Sequence, residues 1–297
     1  MRNTSLLTAG TLAKPFTHSV MNSPVAIACQ QYTWMTFCKR EGYEWGKNVM
    51  RDMEMFLQAG THHFEPLFTS LESVKKLKEA LEKFSIQTSS LYVNSTLYLE
   101  EQVASSIEEV IQIAEHSDAR IIVTNPKPIQ WGGDEDKSDE QLVIQARALN
   151  RLGKELQKQG KVLAYHNHDA EMRQSAREFH HMLSGTDAQY VKLCLDAHWI
   201  YRGSGNSQVA LFDIVKLYGD RIVELHLRQS QQGIWSEVFD KKGDVDYERL
   251  VITLRKKGLS PHIVLEQAVE EGTPHTLTAL SAQKQSLENI RALFKEK

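Results

Sequence analysis

The stretch Val162-Leu163-Ala164-Tyr165-His166-Asn167-His168-Asp169-Ala170-Glu171 decides how the chain is read. Apolar and aromatic residues lead straight into ring and amide side chains, as in a buried strand that ends at a solvent-facing mouth. Three later segments share the design: VKLCLDAHW (191–199), IVELHLRQS (222–230) and HIVLEQA (262–268). They deliver Asp196 and His198, then His226 and Arg228, then Glu266. The steps from 166 to 196, 196 to 226 and 226 to 266 are 30, 30 and 40 residues, each close to one strand–helix unit.

Outward from these segments the same alternation fills the chain. Short apolar runs occur at 25–29, 61–64, 85–93, 120–124, 161–165, 191–195, 221–227 and 262–265. Between them, Val74, Leu77, Leu81 and Phe84 fall at i, i+3, i+7 and i+10 and predict a helix with one apolar stripe. Val49, Met53, Phe56 and Leu57 predict another, as do Leu250, Val251 and Leu254. Gly60, Gly160, Gly219 and Gly258 stand where such helices would end in a left-handed residue. The segment TNPKPIQWGGDEDKSDE (124–140) reads as a long surface loop. Eight strands alternating with helices predict an α/β fold, a single (β/α)8 TIM barrel over 25–297 behind an N-terminal extension at 1–24. A doubly wound sheet is the alternative, but no Gly-rich phosphate loop follows the first strand.

Simple division of 297 residues at about 150 per domain gives two domains, yet α/β barrels use about 250 residues as one. Hydrophobic residues at 41% and charged residues at 25% exclude disorder, collagen and coiled coil. A net charge of −3 with no basic stripe argues against a nucleic-acid partner. No apolar run reaches the roughly 20 residues of a membrane span. Cys29, Cys38 and Cys194 form neither metal-type pairs nor a disulfide framework. The opening MRNTSLLTAGTLAKP fits the tail of an export signal or a plain extension, so the compartment, cytoplasmic or periplasmic, stays open. A homo-oligomer is equally open.

Barrel enzymes carry their chemistry at the C-terminal ends of the strands. Strand alternation places His166 and His168 on one face, and likewise Asp196 and His198. His166, Asp196, His226 and Glu266 would then hold one divalent ion. Mixed nitrogen and oxygen donors favour Mn²⁺, Zn²⁺ or Co²⁺ over Mg²⁺. Any one of these histidines alone reads as an ordinary barrel residue, and His62, His63, His180, His181 and His275 read as surface or capping residues. The recurrence on four successive strands favours the ion, because polar groups crowded at a mouth need partners. Glu65, in HHFEP, offers either a sugar-hydroxyl contact or a helix N-terminal carboxylate. Trp34, Trp131, Trp199 and Trp235 offer sugar stacking or plain packing.

On YHNHDAE, CLDAHW, ELHLRQS and VLEQ, the chain from about Val25 to Phe294 resembles the xylose-isomerase-like TIM-barrel family. That family includes sugar phosphate isomerases and epimerases, ketose 3-epimerases, inosose dehydratases and endonuclease IV. The resemblance implies one divalent metal bound by Glu, Asp, His and Glu on strands five to eight. Asp196, His226 and Glu266 match the last three. The first departs, because epimerases carry a leucine, glutamate, asparagine, histidine run where this chain has Tyr165, His166, Asn167 and His168. This is more similar to the inosose dehydratase branch.

In the epimerases two metal-bound glutamates serve opposite faces of the sugar, and here that pair reduces to Glu266. A metal-bound imidazole has its lone pair committed and cannot be the base. Glu266 or His168 would move the proton, with His198 or Lys127 as free substitutes. Alternatively, the chemistry runs on one face. His198, Arg228, Glu65 and Lys127 would bind substrate oxygens. The implied function is a divalent-metal-dependent isomerase or epimerase working by proton transfer beside the carbonyl of a keto-sugar or cyclitol. A metal-dependent dehydratase or lyase is the alternative, and a non-catalytic sugar-binding barrel is the third reading. The nuclease branch fits poorly, since a trinuclear site needs more ligands and the chain is acidic.

Overall fold

The structure, a computed structural model, describes residues 26–295. The expected extension at 1–24, and the export question with it, lie outside the described residues. Eight short strands form one parallel sheet: β1 (Ile27–Gln30), β2 (His63–Glu65), β3 (Ser90–Ser95), β4 (Ile121–Pro126), β5 (Val162–His166), β6 (Val191–Asp196), β7 (Ile222–Leu227) and β8 (His262–Leu265). Their order is β2-β1-β8-β7-β6-β5-β4-β3. Isolated parallel bridges, His63 to Gln87 and Leu67 to Tyr92, join β2 to β3 and nearly close the circle. The fold is the expected single (β/α)8 TIM barrel.

Helices follow each strand and cover the outside. They include α1 (Gln31–Arg40), α2 (Val49–Gln58), α3 (Leu71–Lys83), α4 (Glu100–Glu115), α5 (Asp139–Lys158), α6 (Arg173–Ser184), α7 (Ala197–Gly203), α8 (Gln208–Tyr218), α9 (Tyr247–Lys256) and α10 (Ala279–Lys295). The periodic positions explain the packing: α3 buries Val74, Leu77 and Ala80, and α9 buries Leu250, Val251 and Leu254. Capping boxes, Ser70 with Ser73 and Ser138 with Gln141, start α3 and α5. Gly153 lets α5 lie against the chain entering β6, where an added Cβ would come within 2.3 Å of the Tyr190 carbonyl oxygen. Strand side chains alternate, so Tyr165, Leu193 and Leu195 join the large helix–sheet core while Tyr92, Val123, Ala164 and Cys194 pack together in a separate small cluster.

Two local expectations are corrected. The run 85–93 becomes a strand only from Ser90. Ser85 ends α3 in the left-handed region (φ 52°), and Gln87 contributes only the seam bridge. Gly60, Gly160 and Gly258 are left-handed as expected, but Gly219 (φ −52°) is not. There α8 runs directly into a 3-10 turn, Gly219–Arg221, and no reversal is needed.

The long loop after β4 lies at the mouth. It is braced from α6, where Arg173 donates to Asp136 Oδ1 at 2.6 Å and to the Gly133 carbonyl at 2.7 Å. After β7, a two-stranded ribbon pairs Ser230–Gln231 with Ile234–Trp235. Among the described residues, no helix is long and apolar enough to cross a membrane.

Candidate active site

Each of the four expected ligand positions sits where its strand ends or nears its end. His166 and Asp196 are the last residues of β5 and β6, His226 is the next-to-last of β7, and Glu266 follows β8. Registers align Asp196 with His226, and the Glu266 N–H donates to the Leu227 carbonyl at 3.0 Å. All four side chains are buried, and one donor atom from each lies within 4.8 Å of the others. Ligand atoms of one ion at bond lengths of about 2.0–2.3 Å are at most about 4.6 Å apart, so small side-chain adjustments suffice. His226 Nδ1 is 2.8 Å from Glu266 Oε2, and His166 Nε2 is 3.9 Å from the same oxygen.

The electrostatics suit a cation. His166 Nε2 and Asp196 Oδ2 are buried with no hydrogen-bond partner. Burial, then the neighbouring His226 and His168, hold the His166 imidazole well below its usual pKa, in the neutral form that binds metals. Burial and then Glu266 raise Asp196. Burial would also raise Glu266, but His226 and Arg228 outweigh it and hold it low. Burial would lower His226, but Cys194, Glu65 and Glu266 outweigh it and hold that ring well above its usual pKa, so metal binding there would release a proton. Buried carboxylates with spare oxygens beside imidazoles are the donor set of a divalent transition metal.

The other predicted residues divide. His168 lies half-buried just past β5, its ring centre 4.8 Å from that of His166. Burial lowers its pKa to about 4, so it is neutral at pH 7 and able to take a proton. Arg228 is fully buried, paired with Glu270, and stacked 5.0 Å from Trp199 and 4.5 Å from Trp235. His198 departs from strand parity with Asp196. β6 ends at Asp196, whose Oδ1 caps α7 by accepting the Trp199 N–H at 2.9 Å, so His198 rides on the helix. Its Nε2 meets Ser230 Oγ at 2.9 Å, and Ser230 donates in turn to Asp244 at 2.6 Å. The ring lies 4.3 Å from Trp235.

Glu65 is the last residue of β2, but its side chain is fully buried, accepting from Ser90 Oγ at 2.8 Å, with Oε2 3.2 Å from His226 Nε2. Burial and then Glu224 raise its pKa to about 7. Lys127 is exposed, tied by its backbone N–H to the Ser95 carbonyl, and is not brought into the cluster. Trp131 is 53% exposed on the braced loop, its ring 5.4 Å from His168. Trp34 is a core residue stacked on Trp45.

Reasoning from the sequence missed several supports. Asn167 grips the Asp196 backbone in both directions, donating to its carbonyl at 3.1 Å and accepting its N–H at 3.2 Å. Gln267 does the same to Gln229, at 3.1 and 2.7 Å. Glu171 accepts the His168 N–H at 2.7 Å. Tyr92 places its hydroxyl 3.5 Å from His166 Nδ1. Glu224 lies 3.1 Å from His226 Nε2 and could have been found, because it stands two residues earlier on the same strand.

Comparisons with known proteins agree with this architecture. An inosose dehydratase from Bacillus velezensis is 28% identical over 165 residues, covering 50% of this chain and 54% of that protein. The chain thus matches little more than half the length of that relative. A sugar phosphate isomerase/epimerase from Parabacteroides distasonis superposes with a TM-score of 0.69 at 16% identity, covering 94% of this chain and 98% of that one. A xylose isomerase-like TIM barrel protein from Mycobacterium smegmatis, in complex with magnesium, gives 0.65 at 13% identity, covering 92% and 97%. At these identities the structural likeness shows the fold. Residues 51–293 match the sequence pattern of one family, and the chain belongs to it: the xylose isomerase-like TIM barrels.

Proposed function

We propose that this protein is a divalent-metal-dependent enzyme that moves a proton beside the carbonyl of a keto-sugar or cyclitol, and that elimination of water is the outcome its site favours over isomerisation or epimerisation. The observation that carries this reading is the partner of Glu266 across the cluster. It is an imidazole, His166, with Nε2 3.9 Å from Glu266 Oε2, where returning a proton to the opposite face would call for a second carboxylate. The inosose dehydratase likeness supports the same choice.

His166, Asp196, His226 and Glu266 would hold the ion. The chemistry supplied by a divalent cation, when bound, is polarisation of a substrate oxygen, which makes the neighbouring C–H more acidic. Mn²⁺, Zn²⁺ or Co²⁺ suits two imidazoles and two carboxylates better than Mg²⁺. The remaining work falls to the chain. Neutral His168 accepts the proton from the carbon beside the carbonyl. The electron pair left there forms the C=C bond as the hydroxyl on the next carbon departs, taking the proton back from His168 to leave as water. Glu266 is the second group close enough to carry a proton. His198, held by Ser230, and Arg228, held by Glu270, border the mouth where substrate oxygens would lie. Trp131 offers a flat apolar face for a sugar ring.

The test is incubation of the metal-loaded protein with keto-sugars and inososes in D₂O. Loss of water with growth of enone absorbance is the expected result. Deuterium incorporation without loss of water means isomerisation or epimerisation. Binding with neither, unchanged in Glu266→Gln, means a non-catalytic sugar-binding barrel.

A further inference from the structure

Beneath the expected ligands lies a second set of ionisable groups that the proposed reaction does not use. Glu224 on β7 and Glu65 on β2 are both fully buried and both face His226. His226 Nε2 lies 3.1 Å from Glu224 Oε1 and 3.2 Å from Glu65 Oε2, while its Nδ1 faces Glu266 Oε2 at 2.8 Å. Glu65 is tied on its far side, where Ser90 donates to Oε1 at 2.8 Å, and the Cys194 thiol lies 3.4 Å from the same Glu224 Oε1 that faces His226. Barrel interiors are ordinarily filled by apolar side chains, as Val123 and Ala164 do here. Two carboxylates in that place carry a large desolvation cost, and packing gives no reason for them.

We propose that Glu224 and Glu65 are positioning residues for the metal centre: Glu224 accepts the Nε2–H of His226 and Glu65 places a second carboxylate on the same side, so that the Nδ1 lone pair faces the ion. The inference rests on the metal reading above. Neutral imidazole carries one N–H and one lone pair, so a carboxylate at one nitrogen assigns the lone pair to the other. A carboxylate behind a ligating histidine also strengthens the ring as a donor. Glu224 Oε1 accepts at Nε2, and the Glu65 Oε2 oxygen at 3.2 Å, off the hydrogen-bond direction, adds a second carboxylate on the same side of the ring. Glu65, Glu224 and His226 are themselves within 4.8 Å of one another, so capture of a second ion by this trio is the rival outcome.

The experiment is Co²⁺ titration of the metal-stripped chain, read by d–d absorbance for stoichiometry and affinity. One equivalent is expected in the unaltered chain, with affinity about 10–100-fold weaker in Glu224→Leu. Glu224→Gln keeps an acceptor oxygen for the Nε2–H and should recover most of the loss. Because Glu224→Leu could unfold, the unaltered chain loaded with ¹¹³Cd and ¹⁵N-histidine supplies an independent reading. Coupling should run to His226 Nδ1, with the proton on Nε2. Coupling through Nε2, undiminished Co²⁺ affinity in folded Glu224→Leu, or a second equivalent lost in that variant each overturns the inference alone. Absence of any Co²⁺ binding by the unaltered chain overturns the metal reading, and this inference with it.

Discussion

The two halves of the barrel use the same strand–helix unit but are tied together differently. From β4 to β7 each neighbouring pair is registered over four residues, and side-chain amides continue the ladder past the strand ends. Asn125 Nδ2 reaches the His166 carbonyl at 3.2 Å, Asn167 clamps Asp196, and Gln267 clamps Gln229. In the first half β3 and β4 pair over six residues, but β1 and β2 have only four and three residues, and the β2–β3 seam carries only isolated bridges. The half that presents all four ligand candidates is therefore the half whose strand ends are clamped. A metal centre needs donor atoms fixed to a fraction of an ångström, and the amides extend that order where the strands run out.

The largest effect expected on this contrast comes from the ligands themselves. Asp196→Ala should weaken metal binding by more than about 100-fold, beyond the loss typical of a supporting residue, as read by calorimetry. Next come the clamps. Asn167→Ala leaves the buried Asp196 N–H and carbonyl without these partners, and should cost about 1–3 kcal/mol in denaturant unfolding and about tenfold in metal affinity. The matching deletion in the first half, Gln31→Ala, removes an acceptor 3.1 Å from the Leu67 N–H. It should cost about 1 kcal/mol and leave metal affinity unchanged. Equal losses of affinity in the two variants would break the contrast.

An effect smaller than that at Asn167 is expected where the halves meet. Glu237 receives Arg40 from α1 at 2.8 Å and the Thr276 and Leu277 N–H groups at 3.0 and 3.2 Å. Burial alone would raise its pKa, but the Thr276 hydroxyl, these N–H groups and Arg40 outweigh it and hold the carboxyl below its usual range. A depressed carboxyl stabilises the fold above its unfolded pKa, and that stability is lost as pH falls through the folded value. Glu237→Gln should thus cost about 1–2 kcal/mol at pH 7, with the gap to the parent closing in acid. The smallest change in stability belongs to Trp131→Ala, within about 0.5 kcal/mol, since the ring is largely in solvent. If that ring stacks on the sugar, KM should still rise about 2–10-fold with kcat unchanged.

The same contrast governs what could be read from the residues alone. The second half was legible because its apolar runs end abruptly in His, Asp and Glu, so His166, Asp196, His226 and Glu266 could be assigned to strand ends. The pairing of Asp196 with His198 failed because a side chain that caps a helix also ends its strand, and alternation stops there. Glu224 follows the parity rule yet was passed over, because a charged residue deep inside a barrel runs against the usual burial of such groups. Glu65 ends its strand as HHFEP suggests, but pattern alone does not reveal that its carboxylate turns to His226. The seam at 85–89 was read as strand because its apolar content says nothing about the left-handed Ser85. The amide clamps depend on partners some 30–40 residues away, which local pattern does not reveal.

The most direct test of the metal centre is anomalous diffraction from crystals soaked in Mn²⁺ or Co²⁺. One peak is expected, bonded at about 2.0–2.3 Å to His166 Nε2, Asp196 Oδ2, His226 Nδ1 and Glu266. No peak among these four residues, or a peak held instead by Glu65 and Glu224, would contradict it.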